Sequence, residues 1–196
     1  MKFQVYKDIN CFGFKKDEEV FEVIDLLRVE SCGFYSVAIN AEKLISANND
    51  KKFKKIVAES KLPVPDGIVA KFLIWKKFGF LSKRINLPFL VITYAKKNRL
   101  SLAVIGADEE SNKKAFEHIK SQHTNLETSF RLNGYVKEQI IKEHILLYKP
   151  DCILLGLGSP KQEILSKKLI NWRPNLIIIN CGGAIDILSG LKKRAP

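Results

Sequence analysis

The run Asp151-Cys-Ile-Leu-Leu-Gly-Leu-Gly-Ser-Pro-Lys-Gln-Glu163 carries an apolar segment into a glycine turn that opens a helix. Asn180-Cys-Gly-Gly-Ala-Ile-Asp186 repeats the plan, with an apolar segment ending at a glycine pair, and Lys192-Lys-Arg-Ala-Pro196 follows. Apolar strands that end in glycine turns before helices build a phosphate-facing crevice at the carboxyl ends of a parallel sheet. Pro65-Asp66-Gly67, in the first third of the chain, adds a carboxylate on a tight turn that can work beside that crevice. Together these features suggest an enzyme of nucleotide sugars.

Working outward, the periodicity predicts strands over Lys2 to Tyr6, Gly33 to Ile39 and Ser101 to Gly106, besides the two terminal ones. Helices are expected over Asp17 to Val29, over Ala41 to Asn49 with Asn40 as its cap, and over Lys51 to Ser60. A turn is expected at Pro63 to Gly67, then one long helical pattern, then helices over Glu109 to Gln122 and Tyr135 to Tyr148. Alternating strands and helices imply an α/β, Rossmann-like fold, a mostly parallel sheet with helices on both faces. No repeat or linker divides it, so residues 1–196 read as a single catalytic domain.

With 46% apolar residues the chain can bury a substantial core. Its cysteines, Cys11, Cys32, Cys152 and Cys181, are widely spaced and suggest neither a zinc site nor a disulfide framework, which fits a reducing cytoplasm. No apolar run approaches the roughly 20 residues of a bilayer span. The net charge of +12 attracts phosphates on nucleotides, nucleic acids or anionic lipids. It is spread along the chain, and no nucleic-acid-binding motif is present, so no nucleic acid is expected as partner. A lysine-rich surface that only confers solubility explains the charge equally well.

Lys161 stands where a dinucleotide fingerprint needs glycine, which disfavours a nicotinamide cofactor, and no Walker loop exists. Ser159 reads as a helix cap, Pro160 as the first helical residue and Gln162 as a capping-box partner. Gln162 reads equally well as a ligand to a ribose, base or sugar hydroxyl. Asp66 lies in one of the commonest turn sequences, and spacing alone favours a structural role; the functional role is a general base on an attacking hydroxyl. Phe72, Leu73, Trp75 and Phe78 read first as core and second as a lipid-facing surface. His118, His123 and His144 lack metal-ligand spacing, and no Asp-x-Asp triplet offers ligands for a divalent cation, so neither cofactor nor metal is expected.

These motifs in combination resemble the WecG/TagA/CpsF family of bacterial glycosyltransferases, glycosyltransferase family 26, from about Phe3 to Pro196. The carriers are Asn40-Ala-Glu42, Val64-Pro-Asp-Gly67, Arg84-Ile85, Leu102 to Gly106, Gly134-Tyr135, Gly156 to Glu163 and Gly182 to Pro196. The resemblance implies an inverting, metal-independent transfer of a sugar, often N-acetylmannosamine, from a UDP-sugar to an undecaprenyl-diphosphate-linked acceptor. It further implies a place in teichoic acid or surface polysaccharide synthesis, at the inner face of the cytoplasmic membrane as a peripheral protein. It casts Asp66 as general base, Asn40 and Arg84 as pocket residues with Arg84 against the diphosphate, and Gln162 on a sugar. Gly106, Gly156, Gly158, Ser159, Lys161, Gly182 and Gly183 would line the nucleotide cleft.

The chain departs from the family pattern in three places. Ala38 replaces a threonine, Ile68 to Lys71 lack a second glycine, and Asn86 to Leu90 lack a glycine and an acid. On the same resemblance a basic, aromatic membrane-associating segment is expected after Pro196; the chain as given is therefore expected to turn over weakly or not at all. An epimerase or other nucleotide-sugar enzyme, and a basic module for anionic lipid or nucleic acid, are the alternatives. The oligomeric state stays open, a homo-oligomer included.

Overall fold

The computed structural model describes residues 2–30 and 33–193. Cys32 and the terminal Arg194-Ala-Pro196 lie outside the described residues. An antiparallel hairpin, β1 (Lys2–Tyr6) and β2 (Ile9–Phe12), precedes α1 (Glu18–Glu30) and β3 (Phe34–Ile39). Then come α2 (Ala41–Asn49), α3 (Lys51–Ala58), β4 (Leu62–Pro65), α4 (Gly67–Phe78) and α5 (Leu87–Lys97). The second half runs β5 (Leu102–Gly106), α6 (Glu109–Gln122), β6 (Thr128–Leu132), α7 (Glu138–Tyr148), β7 (Cys152–Gly156), α8 (Lys161–Trp172), β8 (Ile177–Asn180) and α9 (Ala184–Leu188).

Six strands form one wholly parallel sheet in the order β4-β3-β8-β7-β5-β6. Its register pairs Ile39 with Pro65, Tyr35 with Ile178, Leu155 with Asn180 and Gly106 with Gly156. Because side chains alternate along a strand, each central strand feeds two cores. Leu102, Val104, Cys152, Leu154, Ile177 and Ile179 pack on one face with α1, α5, α6 and α9. Ala103, Ile105, Ile153, Leu155 and Ile178 pack on the other with α2, α3, α4, α7, α8 and the hairpin. This double coverage explains why the strand sequences are continuously apolar.

Several elements differ from the expectations. The expected Pro63–Gly67 turn is largely strand: Leu62 to Pro65 pair in parallel with Ser36 to Ile39, and two prolines are tolerated because β4 is a sheet edge. The single long helix is two, because Gly79 takes the left-handed conformation that closes α4 and Pro88 stands in the first turn of α5. β2 and β6 are additional to the expected strands, short segments that gain their strand character from partners in the tertiary structure.

Candidate functional site

Strands β4, β3, β8 and β7 are neighbours, and their carboxyl ends supply the walls of a cavity of about 560 Å³. The adjacent β3 and β8 send the chain to opposite faces, β3 into α2 and β8 into α9, which opens a crevice between them. Of the expected site residues, Asn40, Asp66, Arg84, Ser159, Gln162, Gly182 and Gly183 line it.

Asn40 directly follows β3 and caps α2 as expected, its Oδ1 accepting from the Lys43 amide at 2.9 Å. Asp66 directly follows β4; its amide donates to the Ile39 carbonyl at 2.9 Å, closing the last pairing of β3 with β4. That pairing leaves the next residue of each strand side by side, and Asn40 Nδ2 donates to Asp66 Oδ2 at 3.3 Å. Asp66 stands at the N-cap position of α4 but makes no capping bond with its side chain, so its carboxylate serves the cavity rather than the helix. Gly67, at φ +74°, turns the chain immediately after it.

Arg84 reaches the cavity from the loop between α4 and α5. The Phe14 amide donates to Ser82 Oγ at 3.0 Å and the Lys83 amide to the Phe14 carbonyl at 2.7 Å, so the residue that follows the amino-terminal hairpin pins this loop. Ile85 and Leu87, both buried, anchor its far side.

Gln162 is 5% exposed, its side chain bridging the two glycine turns. Its Oε1 accepts from the Gly182 amide at 3.2 Å and its Nε2 donates to Glu163 Oε1 at 3.1 Å. Ser159 is not the cap of α8, which starts at Lys161 without a side-chain cap; its hydroxyl instead accepts from Lys43 Nζ at 3.2 Å. Gly106, Gly156, Gly158 and Lys161 do not line the cavity. A Cβ on Gly106 would collide with the Gly156 carbonyl, and one on Gly156 would lie 2.6 Å from the Gly182 carbonyl oxygen. Both glycines allow strand ends to approach closely, and β5 lies one strand beyond the cavity. Lys161 belongs to a separate apolar cavity of about 260 Å³ beside α7.

Lys43, on the first turn of α2, is a cavity residue that the sequence reading missed. It is 6% exposed and forms an ion pair with the fully buried Glu163. The one local signal for it is its spacing of three from Asn40, which places it on the first turn of α2. Asn180 also lines the cavity; Ser166 Oγ donates to its Oδ1 at 2.8 Å and its Nδ2 donates to the Ser36 carbonyl at 2.8 Å, locking β8 to β3 and α8. At the opposite wall Asp186 accepts from Lys192 at 2.6 Å, which raises the lysine above its ordinary value. The wall thus carries Lys43, Arg84, Lys192 and Lys193 beside the carboxylates of Glu42, Asp66 and Asp186. Among the described residues no three His, Cys, Asp or Glu side chains gather in a group that could hold a metal ion. Nor is any described helix long and apolar enough to cross a membrane.

Comparison with known proteins gives this geometry a context. Over 198 residues the chain is 26% identical to the N-acetylglucosaminyldiphosphoundecaprenol N-acetyl-beta-D-mannosaminyltransferase of Bacillus spizizenii strain W23, covering 97% of this chain and 77% of that protein. The protein of the same name from Bacillus subtilis strain 168 is 27% identical over 81% of this chain and 63% of its own length. That from Staphylococcus aureus strain MRSA252 is 24% identical over 83% and 65%. The chain therefore spans less than two thirds of the latter two. A sequence model of the glycosyl transferase WecG/TagA/CpsF family matches residues 9–196, and with nearly the whole length matched the chain belongs to that family of glycosyltransferases.

Proposed function

We propose that this protein is an inverting transferase that moves a sugar from a UDP donor to a hydroxyl of an undecaprenyl-diphosphate-linked acceptor at the membrane surface. The relatives' names give the sugar as N-acetylmannosamine and the acceptor sugar as N-acetylglucosamine. The observation that carries the reading is the Asp66 carboxylate, oriented by Asn40 in a cavity whose wall also bears Arg84, Lys192 and the Gly182–Gly183 turn.

In this reading the acceptor oxygen attacks the anomeric carbon while Asp66 takes its proton. The bond from that carbon to the diphosphate oxygen breaks, and UDP leaves with the electron pair from the opposite side, inverting the centre. Arg84 and the lysines meet the negative charge that develops on the diphosphate, a stabilisation worth most in a partly enclosed site. Gln162 lines the sugar end and, through its bond to Gly182, fixes the turn against which the donor rests.

The test is Asp66→Asn with UDP-N-acetylmannosamine and the lipid-linked acceptor. Turnover should fall by about 10²–10⁴-fold, the usual worth of a general base. UDP binding measured by calorimetry should survive. Undiminished turnover would overturn the assignment of the base, and a retained anomeric configuration in the product would overturn inversion. A new sugar formed from donor alone would point instead to an epimerase.

A further inference from the structure

α4 is apolar almost all round, yet only a narrow stripe of it touches the protein. Ala70 and Ile74 are buried, whereas Ile68, Phe72 and Trp75 are 82, 54 and 49% exposed. These three recur at i, i+4 and i+7, so they form one stripe opposite the buried face. The Phe72 and Trp75 rings lie against each other at 5.8 Å. Beyond the Gly79 turn Leu81 is exposed as well. At 3.6 residues per turn Lys71 and Lys76 border the stripe on its two sides. An exposed aromatic and aliphatic stripe edged by lysine stems is the composition of a helix lying in the plane of a membrane interface.

Its position matters as much as its composition. α4 begins directly after Asp66, and the loop that follows it carries Arg84, so two residues of the cavity wall flank the helix that bears the stripe. We propose that the exposed face of α4 docks on an anionic phospholipid bilayer and so presents the Asp66 cavity to an acceptor at headgroup level. This rests on the lipid-linked acceptor read above. A bilayer suits the face better than a second copy of the chain, because a two-fold contact would set the lysine borders against each other. Anionic headgroups complement both those borders and the net charge of +12.

The experiment uses Trp75 as reporter, since Trp172 is the other tryptophan and Trp172→Phe leaves Trp75 alone. Vesicles of phosphatidylcholine with phosphatidylglycerol should shift the Trp75 emission to the blue, and brominated acyl chains should quench it. Vesicles of phosphatidylcholine alone should do so weakly, and added salt should weaken the effect. Phe72→Ser with Trp75→Ser should lower the vesicle-bound fraction by about tenfold or more in flotation. Both side chains are half exposed, so thermal unfolding should not change. Unquenched Trp75, equal flotation of the variant, or a variant that only loses self-association in sedimentation would overturn the docking face. UDP titration and transfer to a detergent-soluble acceptor read the other question separately. Docking with no UDP binding overturns the donor reading alone, and UDP binding or transfer with no quenching overturns the docking alone.

Discussion

Asn40 makes two side-chain hydrogen bonds, and each predicts a different loss. Its Oδ1 caps α2 and its Nδ2 holds the Asp66 carboxylate. Asn40→Ala should cost about 1 kcal/mol of stability by loss of the cap. It should also lower turnover by about tenfold or more by freeing Asp66, the proposed base, from its orientation. Asn40→Ser can restore the cap but cannot donate an amide to Asp66. It should recover the urea midpoint without recovering the rate, and a parallel recovery of both would show that Asn40 acts through the helix alone. Lys43 and Glu163 pose a similar question in the core. Glu163 Oε2 is buried with no hydrogen-bond partner, so its carboxylate depends on Lys43 and Gln162 at Oε1. Lys43→Met should cost about 3–5 kcal/mol by leaving a buried charge uncompensated. Lys43→Met combined with Glu163→Leu should recover much of that, and urea titration of the three variants measures the coupling.

At the scale of elements, Asn112 on α6 joins parts of the sheet that backbone pairing alone leaves loose. Its fully buried side chain donates to the Gly106 carbonyl at 2.8 Å and to the Leu132 carbonyl at 2.9 Å, tying the ends of β5 and β6 to the helix between them. Asn112→Ala orphans the buried Gly106 carbonyl and removes the donor to Leu132, and should lower stability by about 2 kcal/mol, read as a fall in the thermal midpoint. Gly106→Ala tests a different constraint at the same place. Gly106 has φ +133° and no room for a Cβ beside Gly156. The change should therefore destabilise the fold while leaving UDP affinity of the folded fraction intact, since Gly106 lies outside the cavity wall.

For the whole molecule, acid and thiol chemistry give checks that need no ligand. Hydrogen bonds from Ser111 hold Asp108 below its ordinary value, and bonds from Arg131 and Asn133 do the same for Glu109. Asp8 is lowered by Lys54. A folded-state value below the unfolded one means that the charged carboxylate favours the fold. That contribution is complete above the ordinary carboxylate range and disappears as pH falls below about 4. Urea midpoints should therefore drop between pH 5 and about 3, and less steeply in Glu109→Gln. Desolvation pushes Cys152 up to about 12, and Cys11 is raised by burial as well. Both thiols are buried as well as held protonated, so Cys11 and Cys152 should resist a disulfide reagent until denaturant is added. Rapid native reaction at Cys152 would mean that the sheet opens more readily than its packing implies.

The sequence by itself determined the alternation of strands and helices, the glycine turns, the Asn40 cap and the carboxylate at Asp66. Each of these is a local matter of periodicity, φ preference or short hydrogen bonds, written within a few consecutive residues. Only the tertiary structure decided which strand ends are neighbours. The order β4-β3-β8-β7-β5-β6 brings Asp66 and Asn40 beside the Gly182 turn and leaves Gly106 outside. The same order buries Lys43 against Glu163 across 120 residues of chain. It also gave β4 its partner, turning an expected proline turn into an edge strand, and took Ser159 from the helix end to Lys43. Sheet pairing and side-chain contacts between distant segments depend on packing energies summed over the whole chain, which no single window of sequence contains.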